Sequence, residues 1–144
     1  MSRFSAGVET GAGSTTLPLI STYAAAGSGC ALRELGITNT TAVTFRVRLV
    51  RLTTTGTQGA GAVEGKHDPN SAPLCSVFGT HTVAPTLGDD LGYRATIGEA
   101  KGGGLIWTFG GTGIIIPAGV ANGVGLIIVS GAGQVSDAYF VFDE

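Results

Sequence analysis

Residues 111–133 read GTGIIIPAGVANGVGLIIVSGAG, the most apolar stretch of the chain, with glycine at both ends and in the middle. A membrane span, a nucleotide-cradling loop and the strands of a β-fold all compete for such a stretch. No residue from Gly113 to Val129 is charged, and the run is close to the lower length limit of a membrane helix. Pro117, Asn122 and the glycines at 113, 119, 123 and 125 argue against a span, because in lipid every freed backbone group needs an internal partner. The better reading is two β-branched runs, 113–116 and 124–129, joined by a turn-rich connection that ends in the turn dipeptide Asn122-Gly123. The stretch therefore predicts two buried strands.

The same grammar extends outward in both directions. Strands are predicted at 3–9, 16–24, 31–39, 42–54, 74–83, 93–98, 104–109, 113–117, 124–130 and 135–142. Turn clusters separate them at 11–14, 26–29, 39–41, 88–90 and 101–104. No segment carries a useful helical period. The expected fold is all-β: a single-domain antiparallel β-sandwich, jelly-roll-like, of about eight to ten strands. Side chains alternate across a strand, so Val43, Phe45, Val47 and Leu49 are expected on one face and Thr44, Arg46 and Arg48 on the other. Leu105, Trp107 and Phe109 are expected together on a heavily apolar face, and Ala138, Phe140 and Phe142 likewise near the C-terminus.

Composition narrows the function classes. At 144 residues the chain is long enough for one domain with its own core. Charged residues are only 12% of it, about half the usual quarter, which suits a subunit that covers itself with neighbours. The 25 glycines follow no collagen period and accompany too much aliphatic content for disorder, so they read as turn and bulge punctuation. Eight basic and ten acidic residues give a net charge of −2, with no basic footprint for nucleic acid. Cys30 and Cys75 lie far apart without metal-ligand spacing and read as free thiols. The N-terminus lacks the apolar core of a secretory signal, so synthesis in a cytoplasm-like compartment is the expectation.

Chemical motifs fail on inspection. Gly59 to His67, GAGAVEGKH, has Ala60 where a phosphate loop needs its first glycine and His67 where it needs Ser or Thr. Gly131-Ala132-Gly133-Gln134-Val135-Ser136 ends in serine and leads into a strand, unlike a dinucleotide fingerprint. Glu64, His67 and Asp68 are suitable ligands for a divalent ion, although three polar residues in a solvated loop are more often only that. Asp89 and Asp90 diverge in an extended chain and read as turn residues after Gly88. No nucleophile elbow accompanies His67 or His81, and His81 reads as a strand residue. No cofactor, metal or catalytic set is expected.

Surface features remain as candidates. Arg46 and Arg48 share a strand face and Arg51 takes the other unless a bulge intervenes; the three form either a solvated face, ion-paired to Glu34 or another acid, or a patch for a partner. The stretch 55–73 is the longest without pattern, and is either a partner-contacting loop or a crossover between strands. Residues 1–14 are expected as an extended arm that orders on docking. The candidates for a partner interface are thus Arg3, Phe4, Arg46, Arg48, Arg51, Glu64, Lys66, His67 and Asp68.

The segments ELGITNTTAVTFRVRLVRLTTTGTQG (34–59), HTVAPTLGDDLGYRATIGEA (81–100) and IWTFGGTGIIIPAGVANGVGLIIVSG (106–131) resemble small β-proteins of tailed bacteriophages and prophages. The resemblance covers most of the chain and is one of phrases, without a catalytic motif. It implies a virion component, most like a capsid decoration or cement protein that binds the outside of the shell and clamps neighbouring major capsid subunits. Such proteins commonly form trimers, so the implied partners are the major capsid protein and further copies of the chain, with no nucleic acid and no membrane. The alternative is a trimeric receptor-binding or fibre-tip module; an enzyme is the weakest reading, for want of a carboxylate pair.

Overall fold

The computed structural model describes all 144 residues, and they form strands, turns and bridges without a helix. The strands are β1 (Arg3–Glu9), β2 (Ile20–Tyr23), β3 (Cys30–Asn39), β4 (Phe45–Leu52), β5 (Gly65–Lys66), β6 (Ser76–Phe78), β7 (Leu87–Ile97), β8 (Gly104–Thr108), β9 (Ile114–Ile116), β10 (Gly123–Ile128) and β11 (Ser136–Asp143). A first sheet has the order β5-β1-β11-β3-β8, with β9 also on β3; a second has the order β6-β2-β10-β4-β7. Every pairing is antiparallel. The all-β, single-domain sandwich expected from the sequence is therefore what the chain forms.

Alternation builds the core between the sheets. Phe4 and Ala6 of β1, Leu35 and Ile37 of β3, and Ala138, Phe140 and Phe142 of β11 point inward from the first sheet, and Phe45, Val47 and Leu49 of β4 with Val124, Leu126 and Ile128 of β10 meet them from the second. Burying such side chains is the dominant favourable term, about 25 cal/mol per Å² of apolar surface. Val43 departs from the expected pattern: it is half exposed, because β4 begins only at Phe45. Asn39 holds the turn before it, its amide donating to the carbonyls of Val43 at 2.8 Å and Gly98 at 2.9 Å.

The stretch 111–133 divides between the sheets. Gly113, at φ 68°, starts β9 on the edge of the first sheet, and 117–122 then crosses to β10, the fully buried centre of the second. The expectation of two buried strands holds for β10 alone, since Ile115 of the edge strand β9 is half exposed. A bulge in β3 explains why β8 and β9 are separate pieces along one edge. Pairing with β11 passes from Glu34 to Leu32 between Val141 and Phe142, leaving Arg33 as the extra residue. Arg33 donates through its guanidinium to the carbonyls of Gly110 and Gly111, so the gap between β8 and β9 wraps its side chain.

Two expectations about connections are corrected. Residues 3–9 form the strand expected there and are not part of a free arm: β1 pairs along its length with β11 and is flanked on its other edge by β5. Residues 88–90 are not a turn but lie in β7, which carries extra residues opposite β4. The turn chemistry of Asp90 survives there as a bulge device, accepting from the amide of Gly92 at 2.8 Å, where φ is 82°.

The stretch 55–73 is a strap that closes one side of the sandwich. Thr57 bridges Val83 and Gly61 bridges Phe78 beside the second sheet; Gly65 and Lys66 then pair with Ser5 and Phe4 of the first. Its far end is pinned where the Glu144 carboxylate accepts from the amides of Leu74 at 2.9 Å and Cys75 at 2.6 Å. The opposite side is closed by aromatic rings, with Tyr93 centred 5.6 Å from Trp107 and 5.0 Å from Phe109.

Candidate partner surface

The predicted interface residues fall into separate places. Phe4 is fully buried, with its ring centroid 5.7 Å from that of Phe142, so it belongs to the core and not to an interface. Arg46 and Arg48 lie on the outer face of the second sheet, where Asp90 accepts from Arg48 at 3.0 Å and from Arg94 at 2.6 Å. The acid that pairs with this group is thus Asp90 of β7 and not Glu34, which sits in the other sheet. The Gly92 amide, followed by the Arg48 guanidinium, holds the Asp90 carboxyl below its ordinary range. Arg51 donates to the carbonyl of Ile115, tying β4 to β9.

Glu64, Lys66, His67 and Asp68 are spread along the strap. Asp68 closes a local turn, accepting from the Asn70 amide at 2.9 Å, while His67 faces the Ser5 hydroxyl at 3.4 Å. No group of three or more His, Cys, Asp or Glu side chains is placed to hold a metal ion. His81 follows β6 instead of lying in a strand, and its Nε2 is 2.8 Å from the Ser21 hydroxyl. Both residues are almost wholly buried, and burial pushes the His81 imidazole below its ordinary pKa despite the backbone groups of Val83 and Thr55. A nucleophile at Ser21 would have no path to a substrate.

The outer faces of the two sheets differ in kind. On the second sheet, Tyr23, Val50, Leu52 and Ile127 form a small buried layer of their own, with Phe78 and Leu87 packed against it. A side chain at Gly125 would meet Leu52 and Pro18 within 3.2 Å, which shows how closely the chain covers that face. On the first sheet the outward positions include Ser5 and Gly7 of β1, Tyr139 and Val141 of β11, Gly36 of β3, and Ile106 and Thr108 of β8. Gly7, Ile106 and Thr108 are exposed, Ser5, Tyr139 and Val141 are half-buried, and Gly36 is buried beneath Tyr139.

A tyrosine and two glycines make this face shallow. The ring of Tyr139 lies over Gly36, where an added Cβ would come within 2.1 Å of it, and its hydroxyl donates to Glu34 at 2.6 Å. That hydrogen bond, with some burial, pushes the Tyr139 phenol up to about 12. Gly7, on the other side of Tyr139, adds no side chain. Ile106 is 62% exposed beside this flat centre.

Apart from Glu34, which accepts from Tyr139, charge lies towards the two ends of the face. At one end Asp143, itself buried, accepts from Arg3 at 2.7 and 3.0 Å and from Arg33 at 2.6 Å. The Arg3 guanidinium foremost, then that of Arg33, holds the Asp143 carboxyl below its ordinary range. Glu9 and Asp137, cross-strand neighbours, mark the other end. Of the predicted candidates, only Arg3 and His67 border this surface. Tyr139, Glu34, Arg33 and Ile106 were not among them, although Gly36 inside ELGIT is the kind of strand glycine that signals close approach by another group. No protein-family model matches the chain, and no curated protein is similar to it.

Proposed function

We propose that the chain is a structural virion protein of a tailed phage, a decoration protein that binds the outer surface of the capsid and stabilises the lattice of the major capsid protein. It acts without a cofactor, after synthesis in the host cytoplasm, and assembles as a homotrimer. The proposal rests on the resemblance of its segments to small phage β-proteins and on one structural observation, the shallow outer face of the first sheet with its exposed Ile106. A shallow surface with an exposed Ile106, a flat Tyr139 and its one central charge, Glu34, engaged by Tyr139 suits broad packing against another protein better than capture of a small ligand. The strand order supports a jelly roll for this role: apart from β5, β6 and β9, the chain runs β1-β11-β3-β8 in one sheet and β2-β10-β4-β7 in the other, with the terminal strands adjacent.

Co-sedimentation tests the reading. The purified chain, mixed with expanded capsids of the phage that encodes it, is expected to pellet with them to saturation and to raise the temperature at which the shells release DNA. A chain that stays in the supernatant at saturating concentration overturns the proposal and leaves the fibre-tip alternative to be tested on host cells.

A further inference from the structure

The only two cysteines of the chain, 45 positions apart in sequence, meet inside the fold. Cys30 opens β3 in the first sheet, and Cys75 stands immediately before β6 at the edge of the second. Both belong to the same apolar cluster, 5% and 1% exposed, and both are thiols. The Cys75 sulfur is 3.9 Å from the carbonyl oxygen of Ser28, two residues before Cys30, and Cys75 is the neighbour that most perturbs the Cys30 thiol. No other pair of positions in the chain offers this chemistry, and its place is specific: it spans the two sheets beneath the end of the strap.

We propose that Cys30 and Cys75 are a redox site, converted by a small-molecule disulfide into an internal cystine that staples the first sheet to the edge of the second. The reaction is thiol–disulfide exchange. Residues 68–74 belong to no strand and are mostly exposed, so local opening of this part of the strap brings Cys75 to solvent without unfolding either sheet. The Cys75 thiolate attacks one sulfur of the oxidant; the oxidant's S–S bond breaks and the first thiol leaves. While the strap is still open, the Cys30 thiolate attacks the Cys75 sulfur of the mixed disulfide and expels the second thiol. Two electrons pass from the cysteines to the oxidant, and the two cysteine protons end on the two released thiols.

The closed fold controls the rate at which this happens. The neighbouring Cys75 thiol, together with burial, pushes the Cys30 thiol far above its usual value, so Cys30 is inert while the strap is shut. The strap is held down by the Glu144 carboxylate on the amides of Leu74 and Cys75, and by the Ser2 and Ser71 hydroxyls at 2.6 Å. Once formed, the cystine closes a loop of about 45 residues, a length at which a cross-link substantially restricts the unfolded chain. The site stands whether or not the chain binds capsids, because thiol state and co-sedimentation are separate measurements.

The full-length chain, incubated with oxidised glutathione and analysed by intact mass, thiol titration in denaturant and peptide mapping, decides the matter. The expected product has lost two hydrogens, retains no glutathione, runs as a monomer on a non-reducing gel, and yields one cross-linked pair of peptides containing Cys30 and Cys75. Its Tm is expected to rise by roughly 10 °C and to return on reduction with dithiothreitol. Cys30→Ser should stop at the first step, with glutathione retained on Cys75. Persistence of both thiols in the wild type, a stable glutathione adduct on it, cross-linked dimers as the main product, or a cystine that leaves the Tm unchanged would each overturn the proposal. The wild-type measurements stand alone if the variant does not fold.

Discussion

Tyr139 and Gly36 show how one residue shapes a surface. Because the ring occupies the space that a Cβ at Gly36 would need, Gly36→Ala must displace it and break its hydrogen bond to Glu34. Urea unfolding should show a loss of about 1–2 kcal/mol for Gly36→Ala, and a much smaller loss when Tyr139 is already alanine. Additive losses in the double variant would contradict the packing described. Asp143 makes a second residue-scale case. Its carboxyl is held below its ordinary pKa, so the stability it contributes is complete above the unfolded value of about 4 and drains away as pH falls through the lower folded value. Asp143→Asn should cost about 2 kcal/mol at pH 7 and flatten that acid limb in unfolding curves, since Arg3 and Arg33 lose their shared acceptor. Alternation in the sequence anticipates which of Ala138, Phe140 and Phe142 face inward, but not Arg33. A bulge depends on the partner strand β11, and no local pattern in ELGIT or its flanks announces it.

Among the elements, the strap departs furthest from what the sequence suggests, while β1 matches the strand expected at 3–9 and only the idea of a free arm at 1–14 fails. Polar and glycine-rich residues after Glu9 make the N-terminus look like an arm, yet Phe4 and Ala6 bury themselves against β11, far away in sequence. Local composition cannot report a pairing that joins the two ends of a chain. Phe4→Ala should therefore lower stability by about 3–5 kcal/mol in thermal or urea unfolding, in the isolated protein and without any partner. Near-wild-type stability of that variant would restore the docking-arm idea. The strap was legible only as a choice between a partner loop and a crossover, and it is a crossover, tied to β6 and then to β1 by short bridges. Its ladder is too short and too rich in glycine to leave an alternating pattern. The strands β3, β4, β10 and β11 were legible because long runs of β-branched and aromatic residues with turn residues at their ends leave few other readings. β7 was half legible, since the bulge at Asp90 to Gly92 borrows the residues of a turn.

At the scale of the whole molecule, two sheets enclose one core, and the outer face of the first carries the exposed Ile106. The low charge of the sequence made a partner-covered subunit the natural expectation, but not that Tyr23, Val50, Leu52 and Ile127 bury themselves on the outer face of the second sheet, because that depends on strand pairing. The proposed capsid contact lies on the outer face of the first sheet, so the most direct measurement places a charge at the exposed hydrophobic side chain of that face. Ile106→Glu changes a side chain that is 62% exposed and outside the core, so the fold and Tm should change little. In co-sedimentation with expanded capsids, wild type is predicted to pellet and Ile106→Glu to remain in the supernatant at the same concentration, with its thermal unfolding intact. Equal pelleting of the two proteins, or pelleting of neither, would contradict the assignment of this face.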